Sequence, residues 1–215
     1  MKGRDLTPTA SYRRGVTGAL VGLLLLPLGG VGIEREAAVA SQTERRAVGV
    51  ALETARAALE QISQGITHTL FAWSALQRGD TASGITHIHH VLNILEGPQG
   101  EHYDPAFGGP EEGIGDGMGA LVHARRLLEQ IEALPGGGDY RIAAENVLLF
   151  VQWARARALS ARELAPRDEA EAVLELRRAQ GMLMAARGSR EEKSRPTEGG
   201  VRTLLAWLED PSEWP

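Results

Sequence analysis

Apolar side chains recur at steps of three and four along most of this chain, and that spacing decides the class of fold. From Thr43 to Gly79 they fall at Val48, Leu52, Ala55, Leu59, Ile62, Ile66, Leu70, Trp73 and Leu76. Such steps line one face of a helix with 3.6 residues per turn. Thr43 reads as the N-cap of this first helix and Gly79 as its stop, with Gly65 as an internal weak point. A second helix reads from Thr81 to Glu96, ended by Gly97-Pro98, and a third from Met118 to Leu134, ended by Pro135-Gly136. A fourth starts at Asp139, a good N-cap, and runs to Pro166. A fifth spans Asp168 to Arg187, with Ala172, Val173, Leu176, Ala179, Leu183 and Ala186 on one face. Alternating apolar runs and Asn-Gly hairpin turns, the signals of strands, are absent. Short connections make sequential helices antiparallel neighbours, so the expectation is all-α: an up-and-down antiparallel bundle of four to five helices with one long glycine-rich loop. No 34-to-40-residue period supports a helical repeat array.

The loop is "GPQGEHYDPAFGGPEEGIGDGMG", residues 97–119, with eight glycines and three prolines, a composition that sustains neither helix nor strand. Residues 41–188 read as the bundle domain, the charged stretch 189–199 as a flexible linker, and 200–215 as a short apolar helix and tail. At the other end, Arg13 and Arg14 precede an apolar run that reaches Ile33, then a polar stretch, then Ala38-Val39-Ala40 before Ser41. Basic, apolar and small-x-small segments in that order read as a signal peptide over 1–40, cleaved after Ala40. The paired arginines suit ordinary or twin-arginine export. The expected location is periplasmic or extracellular, with membrane contact only through an uncleaved anchor.

Charge and cysteine content narrow the function. The 23 basic and 28 acidic residues give a net charge of −5, and loss of residues 1–40 would take it to −7. A nucleic-acid binder needs a basic face, so nucleic acid is not an expected partner. The chain has no cysteine. Disulfides, zinc-thiolate sites, iron–sulfur clusters and covalent c-type haem are excluded.

Chemistry concentrates in the histidines. Three of the six, His87, His89 and His90, lie within one turn of the second helix. His68 is 12 residues before Asp80 and His90 is 10 after it, which at about 1.5 Å per residue brings them to similar height across a hairpin. His90 and His123 come to similar height across the next hairpin, seven residues before Gly97 and six after Gly117. Rotation about the axes favours His87 with His90 as a pair and His123 as a third. It puts His68 off the apolar stripe and makes it the weakest candidate. Neutral imidazoles suit Cu, Zn, Ni or Fe, and bundles build such sites from facing helices. The candidate ligands are His87, His90 and His123, with Asp104 or Asp116 assisting. The loop acids, Glu101, Asp104, Glu111, Glu112 and Asp116, are a weaker candidate for calcium, because the alternating acids of an EF-hand are missing. Asp116-Gly117 also reads as the cap of the third helix. A b-type haem with Met182 or Met184 as axial ligand is a lesser alternative.

One echo stands out: Gly-Ile-Thr-His occurs at 65–68 and again at 84–87. Two such short copies do not define a repeat. Nucleophile-elbow, P-loop and dinucleotide-binding patterns are missing.

The run "HIHHVLNILEG", then "HYD", then "GDGMGAL" resembles a pattern in uncharacterised exported bacterial helical proteins. There a His-x-x-His-Val-x-Asn-x-x-Glu-Gly run precedes an acidic loop and a Gly-Asp-Gly-x-Gly element. The likeness covers residues 85–122. It implies that His87, His90, Asn93, Glu96, Tyr103, Asp116 and Gly117 act as a unit. The function expected is a metal-binding or sensing module of the cell envelope, with a protein partner there. The alternative is a non-enzymatic scaffold whose histidines are structural.

Overall fold

In a computed structural model of the chain, the described residues are 30–189 and 199–210, with side chains from residue 42 onward. The chain divides into two compact units, Met1–Ala38 and Val39–Pro215, and the description that follows concerns the second. The apolar run of the expected signal, most of the linker and Trp214 lie outside the described residues. Among the described residues no helix is long and apolar enough to cross a membrane.

The fold is an all-helical bundle. Among the described residues the α-helices are α1 (Gly30–Gln77), α2 (Thr81–Glu96), α3 (Ala120–Ala133), α4 (Gly137–Leu164), α5 (Glu169–Arg187) and α6 (Val201–Glu209). The loop between α2 and α3 holds two single 3-10 turns, Pro105–Phe107 and Pro110–Glu112. Each turn opens on a proline, whose fixed φ suits a helical first residue and whose missing N–H costs nothing there. α2 matches the expected bounds. Asp80 caps it, its carboxylate accepting the Ser83 N–H at 3.1 Å, and Gly97 ends it. Asp168 caps α5 in the same way, accepting the Glu171 N–H at 3.0 Å. Two expected caps are corrected. Thr43 lies inside α1, which begins at Gly30, and Asp139 lies in the first turn of α4, whose N-cap is the left-handed Gly136.

The buried seam of α1 differs from the stripe of large residues. It runs Ala51, Ala55, Ala58, Ile62, Gly65, Thr69, Ala72, Leu76, a strict alternation of four and three. Leu70, by contrast, is 39% exposed. Small residues at heptad spacing let helix axes approach closely. α4 repeats the device with Ala143, Ala144, Val147, Val151, Ala154, Ala158 and Ala161, and it packs against α2, α3, α5 and α6. α6 docks through buried Val201, Leu204, Trp207 and Leu208, with the Trp207 ring stacked on Tyr140 of α4 at 4.4 Å. Burial of each large side chain there contributes about 1.5–3 kcal/mol.

Contacts along α1 and α2 show their antiparallel register. A Cβ on Gly84 would meet the Leu76 side chain at 2.4 Å, and one on Gly65 would meet Leu183 at 3.2 Å and Leu95 at 3.6 Å. Gly65 therefore sits where α1 meets both α2 and α5, and the expected weak point is a point of close approach. The echo acquires a structural meaning here. Each Gly-Ile-Thr-His copy places a buried glycine at the α1–α2 contact and, three residues on, a histidine.

Candidate metal centre

Those two histidines, with His90, form the cluster. His68 on α1 places its Nδ1 3.3 Å from Nδ1 of His87 and 3.2 Å from Nδ1 of His90. Their ring centroids lie 4.9–5.4 Å apart, and the exposed Phe71 ring lies 5.3 Å from His87 and 5.8 Å from His68. All three imidazoles are half-buried. Burial, reinforced by His90 and His87, lowers the pKa of His68 from 6.5 to about 4. Burial also lowers His87, against the pull of the Asp80 carboxylate, and lowers His90 with a contribution from His87. At neutral pH the three rings are therefore uncharged, the form that binds a metal ion.

The separations have a chemical consequence. Two neutral rings facing each other through Nδ1 share at most one proton, and His68 Nδ1 faces both partners. At least one of the three Nδ1 atoms therefore turns its lone pair toward the centre. A tetrahedral ion bound to nitrogen at about 2.0–2.1 Å sets neighbouring ligand nitrogens about 3.3–3.4 Å apart. Two of the three edges of the cluster match that spacing. Among the described residues this is the one group of three or more His, Asp or Glu with ligand atoms all within 4.8 Å of one another.

The expected ligands divide. His87 and His90 are in the cluster. His123 is not: it is buried at 6% exposure, with Nε2 2.5 Å from Asp116 Oδ2. The other carboxylate oxygen of Asp116 accepts the N–H groups of Met118 and Gly119 at 3.0 and 3.1 Å, so Asp116 holds the turn that enters α3. Burial alone would raise the Asp116 carboxyl, but these hydrogen bonds and His123 hold it below the usual carboxylate range. Asp104 accepts the Ala106 N–H at 3.0 Å and caps the first 3-10 turn. Glu112 accepts the Gly109 N–H at 2.8 Å. These three loop acids are spent on backbone donors, and no calcium-like gathering of carboxylates forms among the described residues. Met184 is 49% exposed, and Met182 lines a cleft with Trp153, Ala156 and Arg157, whose described lining holds no histidine.

His68, the candidate ranked last, is the residue that joins the other two. The signal that identifies it is the repeated tetrapeptide, because it puts the same small contact residue and the same imidazole on both strands of the hairpin.

The remaining residues of the motif secure the loop to α2. Asn93, buried at 2% exposure, donates through Nδ2 to the carbonyls of Asp104 and Gly108, both at 2.8 Å, and accepts the Asp104 N–H at 2.9 Å. Glu96, whose side chain is 1% exposed, accepts the His102 N–H at 2.7 Å and Arg155 Nε of α4 at 2.5 Å. Burial alone would raise the Glu96 carboxyl, and these partners lower it. His102 Nδ1 lies 3.0 Å from Glu96 and 2.9 Å from Arg155 Nη2, so that nitrogen donates to one or accepts from the other. Gly97 and Gly119 cross backbone to backbone at positive φ: a Cβ on Gly97 would sit 2.4 Å from the Met118 carbonyl oxygen. The clamped loop then reaches the cluster itself. Phe107 stacks on His89 at 3.8 Å, and its backbone hydrogen-bonds His90.

No family model, no curated protein and no solved structure matches this chain.

Proposed function

We propose that this protein is a metal-binding module of the cell envelope that holds one transition-metal ion through Nδ1 of His68, His87 and His90. The observation that carries the reading is the convergence of three neutral imidazoles from two helices at nitrogen separations of 3.2 and 3.3 Å. With no carboxylate among the ligands, the site suits zinc or copper better than magnesium or calcium. The His90 hydrogen bond to the Phe107 backbone orients a ligand ring, as partners beyond the ligands do in metal sites. Three protein ligands leave one position on a tetrahedral ion open. The up-and-down bundle supplies the antiparallel hairpin on which the cluster depends. Export to the envelope is supported by the basic, apolar and small-x-small order of residues 1–40, and the likeness to exported helical proteins over 85–122 points the same way.

The test is zinc and copper titration of the full chain against a chelating indicator. One ion per chain is expected, with affinity falling about 100-fold in His68→Ala and in His90→Ala, because each removes one of three ligands. His123→Ala is expected to retain the wild-type value. Binding unchanged in both cluster variants, with each still helical by circular dichroism, would assign the cluster a structural role instead.

A further inference from the structure

A second feature, independent of the metal reading, lies at the other end of α2. A cleft of about 520 Å³ opens between the start of the loop, α3 and α4. Its size falls within the about 300–1,000 Å³ typical of small-molecule sites. Leu121 and Val122, both half-buried, supply an apolar strip on the first turn of α3. Arg125, one turn further along, and Arg155 of α4 supply two guanidinium groups, while Gln99 and Gln152 supply amides.

The charges in this cleft are unequally committed. Glu96 is buried and tied to His102 and Arg155, so it neutralises Arg155 and fixes its plane. Glu101 is 79% exposed at its side chain and 3.6 Å from Arg155, a contact that water competes for. Arg125 forms no ion pair among the described residues, where its neighbour Arg126 turns to the Met118 sulfur. Arg125 is thus the guanidinium of the cleft without a carboxylate beside it, next to an apolar strip, and a guanidinium fork matches a carboxylate in shape.

We propose that this cleft binds a small organic carboxylate, its apolar body on Leu121 and Val122 and its charged end at Arg125, with Arg155 as a prepositioned second donor. A carboxylate pairs with the Arg125 guanidinium, which no acid of the cleft meets. Inorganic phosphate leaves the apolar strip uncovered.

The experiment titrates the full chain with phenylacetate, phenylacetamide and inorganic phosphate, following heat and the backbone amide NMR signals of Leu121, Val122 and Gln152. Phenylacetate is expected to shift those signals, and phenylacetamide to bind at least about tenfold more weakly, as loss of a charged hydrogen-bond partner implies. Arg125→Gln should weaken phenylacetate by about tenfold, and it removes an exposed side chain that holds nothing else in place. Gln152→Glu, also exposed, places a like charge at the rim and should weaken it too. The proposal is overturned if acid and amide bind alike, if both variants bind as the wild type does, if phosphate binds more tightly than phenylacetate, or if phenylacetate leaves the three amide signals unmoved.

Discussion

The two halves of α2 solve the same burial problem in opposite ways. His87 in the N-terminal half and His90 just past the midpoint meet His68 with no carboxylate in the cluster, and burial keeps all three rings neutral. The C-terminal half carries Asn93 and Glu96, whose amide and carboxylate are matched to donors and acceptors from the loop and from α4. A buried polar group that is fully partnered is a structural fastener, and removing it strands its partners. Half-buried neutral imidazoles that face one another with no carboxylate among them are a coordination site in waiting. The difference between fastener and ligand therefore lies in the balance of donors and acceptors, and both kinds sit on one helix within nine residues of each other.

If that contrast is right, the largest effect on stability comes from the fastening end. Glu96→Ala strands the Arg155 guanidinium beside His102, and breaking such a pair costs about 3–5 kcal/mol. Urea unfolding of the metal-free chain measures it, and a loss below about 1 kcal/mol would show that the loop is not held there. Asn93→Ala comes next. It leaves two carbonyls and one N–H of the loop without partners, for an expected loss of about 2–3 kcal/mol by the same assay, with faster proteolysis between residues 98 and 118.

A smaller effect comes from the histidine end and depends on pH. His68 takes up its proton near 6.5 when unfolded and near 4 when folded. Between those values the unfolded chain binds more protons, so metal-free stability is complete above about pH 6.5 and declines as pH falls toward 4. His87 and His90, also lowered, act in the same direction. His68→Asn should flatten this decline. An equally steep decline in the variant would place its origin elsewhere. The smallest effect is expected for Gly65→Ala. The new methyl meets the flexible end of Leu183 at 3.2 Å, and the gain in helix propensity, about 1 kcal/mol, offsets most of the crowding. A net change under about 1 kcal/mol in the thermal midpoint analysis checks it.

Much of the helical layout was legible in the spacing of residues. Thr81–Glu96 follows from Asp80 before it and Gly97-Pro98 after it, because capping and helix breaking are local chemistry. The height of His68 against His90 followed from counting outward from the turn, and those two rings do meet. Rotation was the part that failed. The contact face of α1 is built largely from Ala51, Ala58, Gly65, Thr69 and Ala72, small residues that a search for large apolar side chains passes over. With the seam placed about one position off, His68 looked outward. Counting could not reveal that Asp116 takes up the Nε2 of His123. Asn93 and Glu96 were visible only as members of a motif. Their roles depend on where loop carbonyls and Arg155 arrive, which tertiary packing determines.

The most direct test is an anomalous-scattering map, recorded at the zinc edge, from crystals of the full chain grown with equimolar zinc. The prediction is one peak within about 2.0–2.1 Å of Nδ1 of His68, His87 and His90. A peak at His123 and Asp116, or no ordered peak in a chain whose three rings are in place, would contradict it.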